Sequence, residues 1–336
     1  MTAPVTFPSA RQFVGMALET TPGTAVAPTF TLPVKDFKPS DKPTWLEDAA
    51  LRGSMVDVYG LQQGPVYTEF DISGPVFGDG IGFPLANLLG DVTTTGAAAP
   101  FSHAVSTLNS GSAQPKTLTL TDWQGPGTNK ARQYPGACFS ELNFTWNAES
   151  ALFEWDGKGS AFPSVPAAAE PTSAPTTVTP IASWRTLIGI AGPASGGTQV
   201  KTVADGKISI KRTLQVVYTA SGTQAPYVIQ RGMVAVDGTL NFVAADDSPL
   251  TAMLTNAQPA LQVVIGNGGT GAGLVSVQFD LAKAAYTAAD IDRGKAAVQW
   301  AVTFRGLATT TNAGTSGGHS AIKATVQNAM PAATYA

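Results

Sequence analysis

Apolar residues recur at every second position through most of the patterned segments of this 336-residue chain. In Glu69-Phe70-Asp71-Ile72-Ser73, Phe70 and Ile72 share one face and the polar residues the other. Leu142-Asn143-Phe144-Thr145-Trp146 and Leu152-Phe153-Glu154-Trp155-Asp156 alternate in the same way. So do Val275-Ser276-Val277-Gln278-Phe279-Asp280-Leu281 and Val298-Gln299-Trp300-Ala301-Val302-Thr303-Phe304-Arg305. Period-two alternation predicts half-buried β-strands, apolar side inward. Asn147 to Ser150 reads as the turn of a hairpin joining two of them.

Helical periodicity is confined to two short stretches. Pro84 to Gly90 carries Leu85, Leu88 and Leu89 at i, i+3 and i+4, opened by a proline and stopped by a glycine. Ser248 to Leu254 repeats that design with Pro249, Leu250, Met253 and Leu254. Both lie below the about 12–15 residues that hold a helix in water unaided, so each should be pinned against a sheet.

The neighbourhoods of these helices also repeat. Val34-Lys-Asp-Phe-Lys-Pro-Ser-Asp-Lys42 agrees at alternate positions with Val203-Ala-Asp-Gly-Lys-Ile-Ser-Ile-Lys211. A strand with an internal glycine precedes each helix (Gly74, Gly238) and another strand follows it (117–121, 261–265). Gly15 precedes Gly23-Thr24 as Gly189 precedes Gly197-Thr198. Because the matches are collinear, we expect two copies of one β-rich unit: 1–162, a Pro/Ala/Thr/Ser linker over 163–180, and 181–310, with a C-terminal arm over 311–336. The fold class expected is mainly β, two tandem sandwich or barrel units, each with one short flanking helix.

Composition agrees with that reading. Hydrophobic residues make up 43% and charged residues only 13%, ample for a core, and 35 Gly with 24 Pro suit a turn-rich β protein. The net charge of −3, with no Lys/Arg cluster, excludes a protein that grips nucleic acid through phosphates. A single cysteine, Cys138, excludes a disulfide framework and reads as a buried small hydrophobe. No run reaches the about 20 apolar residues of a membrane helix, and the N-terminus lacks a secretory pattern, so synthesis in the cytoplasm is expected.

Motifs that could carry chemistry fail on context. Gly266-Asn-Gly-Gly-Thr-Gly271 fits a dinucleotide fingerprint, but a strand follows where a helix is needed, so a hairpin loop is expected. Gly314-Thr-Ser-Gly-Gly318 beside His319 resembles a nucleophile elbow, yet lies in a polar stretch that reads as a flexible tail. Two histidines and one cysteine are too few for a zinc set, and Asp290-Ile-Asp-Arg-Gly294 is too poor in carboxylates for a calcium loop and reads as a turn. No enzyme, cofactor or metal site is expected.

Several stretches together resemble the major tail tube proteins of long-tailed, non-contractile (siphovirus-type) bacteriophages, in particular those of actinobacterial phages. They are Phe13-Val-Gly-Met-Ala-Leu-Glu19 leading to Gly23-Thr24 and Leu32-Pro33-Val34, then Leu51-Arg-Gly-Ser54, Gly74-Pro75-Val76, Leu88-Leu-Gly-Asp91 and Gly206-Lys-Ile-Ser-Ile-Lys-Arg212. The resemblance implies a structural virion protein located in the tail. Its stacked rings would form the conduit for DNA ejection, each ring closed by inner strands around a lumen. Two units per chain would make the ring a trimer of pseudo-sixfold symmetry; a hexamer is the alternative. Implied partners are further copies of the chain, the tape measure protein and viral DNA in the lumen without specific binding, and tail terminator and baseplate proteins at the ends, with no membrane. The polar 35–65 loop and the termini would serve inter-ring contacts. The polar sets Glu69, Asp71, Ser73, Glu141, Asn143, Thr145, Ser276, Gln278, Asp280, Gln299 and Thr303 are the candidates for lining the lumen, which should be mostly uncharged or acidic so that DNA slides. The competing readings are another tail component (terminator or baseplate tube protein) and a carbohydrate-binding or adhesin β-sandwich using Trp45 or Trp123.

Overall fold

A computed structural model describes residues 12–124, 130–149, 151–167, 175–294 and 296–336. Residues 1–11, 125–129, 150, 168–174 (the middle of the expected linker) and 295 lie outside the described residues. The chain runs β1 (Val14–Leu18), β2 (Phe30–Leu32), β3 (Asp36–Asp48), β4 (Gly60–Pro75), α1 (Gly82–Leu88), β5 (Gly90–Thr95), β6 (Phe101–Thr107), β7 (Leu118–Trp123), β8 (Ala131–Asn147), β9 (Glu154–Ala161) and β10 (Val165–Ala167). It continues with β11 (Thr186–Ile190), β12 (Gln199–Val200), β13 (Val203–Val217), β14 (Val228–Val243), α2 (Ser248–Leu254), β15 (Leu261–Gly266), β16 (Ser276–Leu281), β17 (Ala284–Asp292), β18 (Gln299–Gly306) and β19 (Lys323–Asn328).

The fold is mainly β, and the named strands pair antiparallel. One ladder runs β3-β4-β9-β8-β13-β14-β18-β17 through both halves of the chain. Strand β8 is long enough to serve two ladders: its second part pairs β9 and β13, its first part β7 and β10. The first part continues to β1 and β2. A separate seven-stranded sheet is ordered β12-β11-β15-β16-β19-β6-β5.

The two halves pair their strands in the same order, β3-β4-β9-β8 and β13-β14-β18-β17. They are also irregular at the same rungs. Thr44 in β3 opposes Gly64 and Pro65, and Thr213 in β13 opposes Gly232 and Met233. Ser140 is the extra residue of β8 opposite β9, and Thr287 that of β17 opposite β18. Bulges fix register locally, so two shared bulges align the halves more tightly than alternation does. This alignment corrects the glycine pairing read from sequence. Gly238 of β14 lies opposite Phe304 of β18, and the same rung of the first half holds Phe70 of β4 opposite Gly159 of β9. A Cβ on Gly238 would sit 2.2 Å from the Phe304 ring, and one on Gly159 2.5 Å from the Phe70 ring. Each half therefore lays an aromatic ring over a glycine, on exchanged strands.

One cluster of buried residues runs through both halves, so they share a core. Phe144 of β8 meets Phe279 of β16 with ring centroids 4.8 Å apart. Two segments depart from the sequence reading. The supposed loop at 35–65 is mostly the β3–β4 hairpin; Pro39 and Pro43 disguise β3, and an edge strand tolerates proline. Residues 311–336 are no free arm: β19 is inserted between β16 and β6, and Tyr335 is buried against Phe83, its hydroxyl held by Asp79 O and by Asn328 at 2.9 Å. Apolar Ile322, Ala324 and Val326 alternate there and fill the core.

Candidate functional site: the polar face of the eight-strand ladder

Alternation within each strand sends one set of side chains into the core and the other to a polar face that spans both halves. Across β3, β4, β9, β8 and β13 one row reads Lys38, Asp71, Lys158, Glu141, Lys211. Each residue faces opposite charge on the adjacent strand, the favourable cross-strand arrangement. The neighbouring row reads Asp36, Ser73, Asp156, Asn143, Ser209, Asp237, Arg305. At its centre Asn143 donates to Asp156 Oδ1 at 2.8 Å and accepts from the Ser209 hydroxyl, which ties β9, β8 and β13 together. Lys211 lies 3.9 Å from Glu141 and Lys42 3.5 Å from Glu69, and Lys38 pairs with Asp36. Such exposed pairs contribute about 0–1 kcal/mol each, so their effect is on the face's charge more than on stability. Tyr67 donates to Glu69 at 2.7 Å, and that bond pushes its hydroxyl pKa up to about 12.

Of the polar residues singled out in the sequence, Glu69, Asp71, Ser73, Glu141, Asn143, Thr145, Gln299 and Thr303 lie on this face. Ser276, Gln278 and Asp280 do not: β16 belongs to the seven-stranded sheet, where they stand opposite Gln327, Thr325 and Lys323. Alternation gives sidedness within a strand and says nothing of which sheet the strand joins. The same face also carries Lys38, Lys42, Lys158, Lys207, Lys211 and Arg305, set among more numerous acidic and uncharged residues, with Asp36, Asp156, Asp205, Asp237, Asp290 and Asp292 joining Glu69, Asp71 and Glu141. The signal for Lys158 was weak because Gly157 and Gly159 break the apolar alternation of β9.

The helices sit at different places on the ladder: α1 packs on β8 at its middle, beside the β8–β13 junction, and α2 on β17 at its end. Every residue of α1 is buried, including Leu85, Leu88 and Leu89 beside it. Two arginines from the β13–β14 hairpin finish its C-terminus. Arg212 donates to Leu88 O at 2.9 Å and Arg231 to Asn87 O at 3.2 Å and Pro115 O at 2.6 Å, placing cations where helix carbonyls lack partners. Burial, with Arg231 nearby, lowers the Arg212 pKa to about 10. Helix α2 has no such cover; Leu250 and Met253 are half-buried, and Leu254 is 73% exposed, not turned to a sheet.

Other motifs resolve structurally. Gly266–Gly271 belongs to the β15–β16 connection. Asp290–Asp292 is the end of β17, not a turn. The Gly314–Gly318 stretch is held by Asp91, which accepts from Ser316 N at 2.7 Å and Thr315 Oγ1 at 2.8 Å. Those bonds keep the Asp91 carboxyl below the usual carboxylate range against its partial burial. Trp123 is buried, with no face free for a sugar, whereas Trp45 is exposed. Glu19 is buried and accepts from Gly23 N, Gly136 N, Thr117 and Thr119 at 2.6–2.8 Å, which explains the Glu19…Gly23-Thr24 pattern. Among the described residues no helix is long and apolar enough to cross a membrane.

The fold is an antiparallel ladder with one polar face, and among the described residues its outer strands β3 and β17 each pair on one side only. The profile of the phage tail tube protein family matches residues 9–327, nearly the whole chain, and the chain belongs to that family. It is accordingly a structural protein of the tail tube, with its place in the virion tail. We found no match among curated proteins.

Proposed function

We propose that the chain is the major tube subunit of a long, non-contractile phage tail, and that three chains close each ring. The observation that carries this reading is the β8–β13 junction, where the ladder passes between halves with the same strand order on either side. The matched bulges support two copies of one unit, 1–162 and 181–310, joined through 163–180. Two units per chain and six around a lumen make a ring of three, because head-to-tail contacts close only when the rotation per unit divides the circle. The polar face turns to the lumen. Its alternating charges leave no cationic stripe to hold phosphates, so DNA and the tape measure protein pass without being bound. Rings stack into the ejection conduit, with terminator and baseplate proteins at its ends. Cryo-microscopy of the purified, assembled protein tests this: tubes with three chains per ring are expected. Six chains per ring refutes the duplication, and a protein that stays monomeric at high concentration refutes the tube.

A further inference from the structure

We propose that a second copy of this chain adds the outer edge of its β3 to the open edge of β17, in the register that β13 holds on β8. The inference rests on the tube reading and names the residues that would close its ring. The bulges make β17 the counterpart of β8, and β3 that of β13. Helix placement agrees, since α1 packs on β8 and α2 on β17. At the internal junction Lys207 lies opposite Thr145, Ser209 opposite Asn143 and Lys211 opposite Glu141. Carried onto the free edges, that register sets Lys38 opposite Asp292, Ser40 opposite Asp290 and Lys42 opposite Ala288. The Ser209–Asn143 hydrogen bond becomes Ser40–Asp290. The β3 edge brings two lysines to a β17 edge that brings two aspartates, so the charges are complementary.

The hairpins extend the match. Internally, the loop joining β13 and β14 docks on β4: Gln224 O accepts from Val66 N at 2.9 Å, and its side chain donates to Gln63 O at 2.8 Å. The corresponding site on β14 is Arg231–Val234, where Met233 is 89% exposed. The corresponding loop joins β3 to β4 and exposes Leu51, Met55 and Val56. The same movement lays the base of the β3–β4 hairpin, with exposed Trp45, over α2 and Leu254, as the base of the β13–β14 hairpin covers α1. Apolar groups left open on both sides of one chain thus meet when copies are joined. Pro39 and Pro43 lie at alternate positions of β3 and offer no N–H, so this edge is blunted against indiscriminate pairing and relies on its side chains for register.

The test is the full chain carrying Ser40→Cys and Asp290→Cys. In the proposed register these positions form a non-hydrogen-bonded pair with Cα atoms about 4.5 Å apart, within disulfide range. Both are exposed, and the native Cys138 is buried. Oxidised assemblies should show covalent dimers and trimers on a non-reducing gel and nothing larger. Assemblies whose new cysteines stay reduced would overturn the pairing and leave the tube reading standing; a wild-type chain that never assembles would overturn both. In parallel, Lys38→Asp and Asp292→Lys should each raise the concentration needed for assembly about tenfold, and the two together should restore it. A double variant no better than either single one contradicts the register.

Discussion

Helices α1 and α2 are both seven residues long and share an apolar triplet, yet α1 is wholly buried and α2 buries only Pro249. The difference lies in their neighbours. Helix α1 sits beneath the β13–β14 arginines, beside β5, and against Tyr335. Helix α2 stands on the end strand β17, where Leu250, Ala252 and Met253 touch the core but no hairpin among the described residues closes over it. An apolar triplet sets the helix; the next unit along the ladder decides whether the helix is covered. The same contrast distinguishes a finished junction, β8–β13, from the two unfinished edges, β3 and β17.

The sharpest way to break this comparison is to truncate matching leucines. In dispersed subunits Leu88→Ala should cost about 2–5 kcal/mol by urea unfolding, whereas Leu254→Ala should stay within about 0.5 kcal/mol. Equal losses would mean that α2 is covered within the single chain. Next comes Arg212→Met, which leaves the carbonyls of Leu88, Ala113 and Gly232 short of a donor. It should lose about 1–3 kcal/mol, while Arg305→Met on the exposed face should change little. The exchanged ring-over-glycine pairs predict similar penalties in both halves. Gly159→Ala would bring a Cβ 2.2 Å from Cys138 O, and Gly238→Ala one 2.5 Å from Lys207 O, so each should cost about 1–3 kcal/mol. A neutral result at either position would show that its rung is looser than its counterpart.

A smaller effect concerns the C-terminal segment. His103 is buried, where its Nε2 donates to Asn328 Oδ1 at 3.2 Å and Met330 O at 3.1 Å while Nδ1 accepts from Thr94. Burial holds its pKa below the ordinary 6.5, against the pull of those two bonds. The unfolded chain therefore takes up a proton that the folded chain resists. This contribution to stability is complete above pH about 6.5 and is lost as pH falls from there toward the folded pKa. Unfolding followed from pH about 7.5 to 5 should show a steeper loss for the wild type than for His103→Gln; parallel curves would remove His103 from the account.

The sequence made the alternating strands legible, as well as the two helices and the likeness of 34–42 to 203–211. It did so because each depends on short-range periodicity. Sheet membership was not legible, because Ser276, Gln278 and Asp280 alternate as cleanly as Glu69, Asp71 and Ser73. The true equivalence of Phe70 with Gly238 was hidden too. Conserving a ring-over-glycine contact while exchanging its strands leaves unlike residues at matching rungs. Strand β3 was obscured by Pro39 and Pro43, although it pairs with its neighbour β4 in a local hairpin, and β19 by the Gly/Ser/Thr stretch that precedes it and by its pairing with the distant β6.

Counting chains in the assembled ring tests the central claim most directly. High-resolution cryo-microscopy of the tube should show three chains per ring, six copies of the strand order β3-β4-β9-β8 or β13-β14-β18-β17 around the lumen, and β3 of each chain beside β17 of the next. Six chains per ring, or a lumen wall in which β3 and β17 remain unpaired, would contradict it.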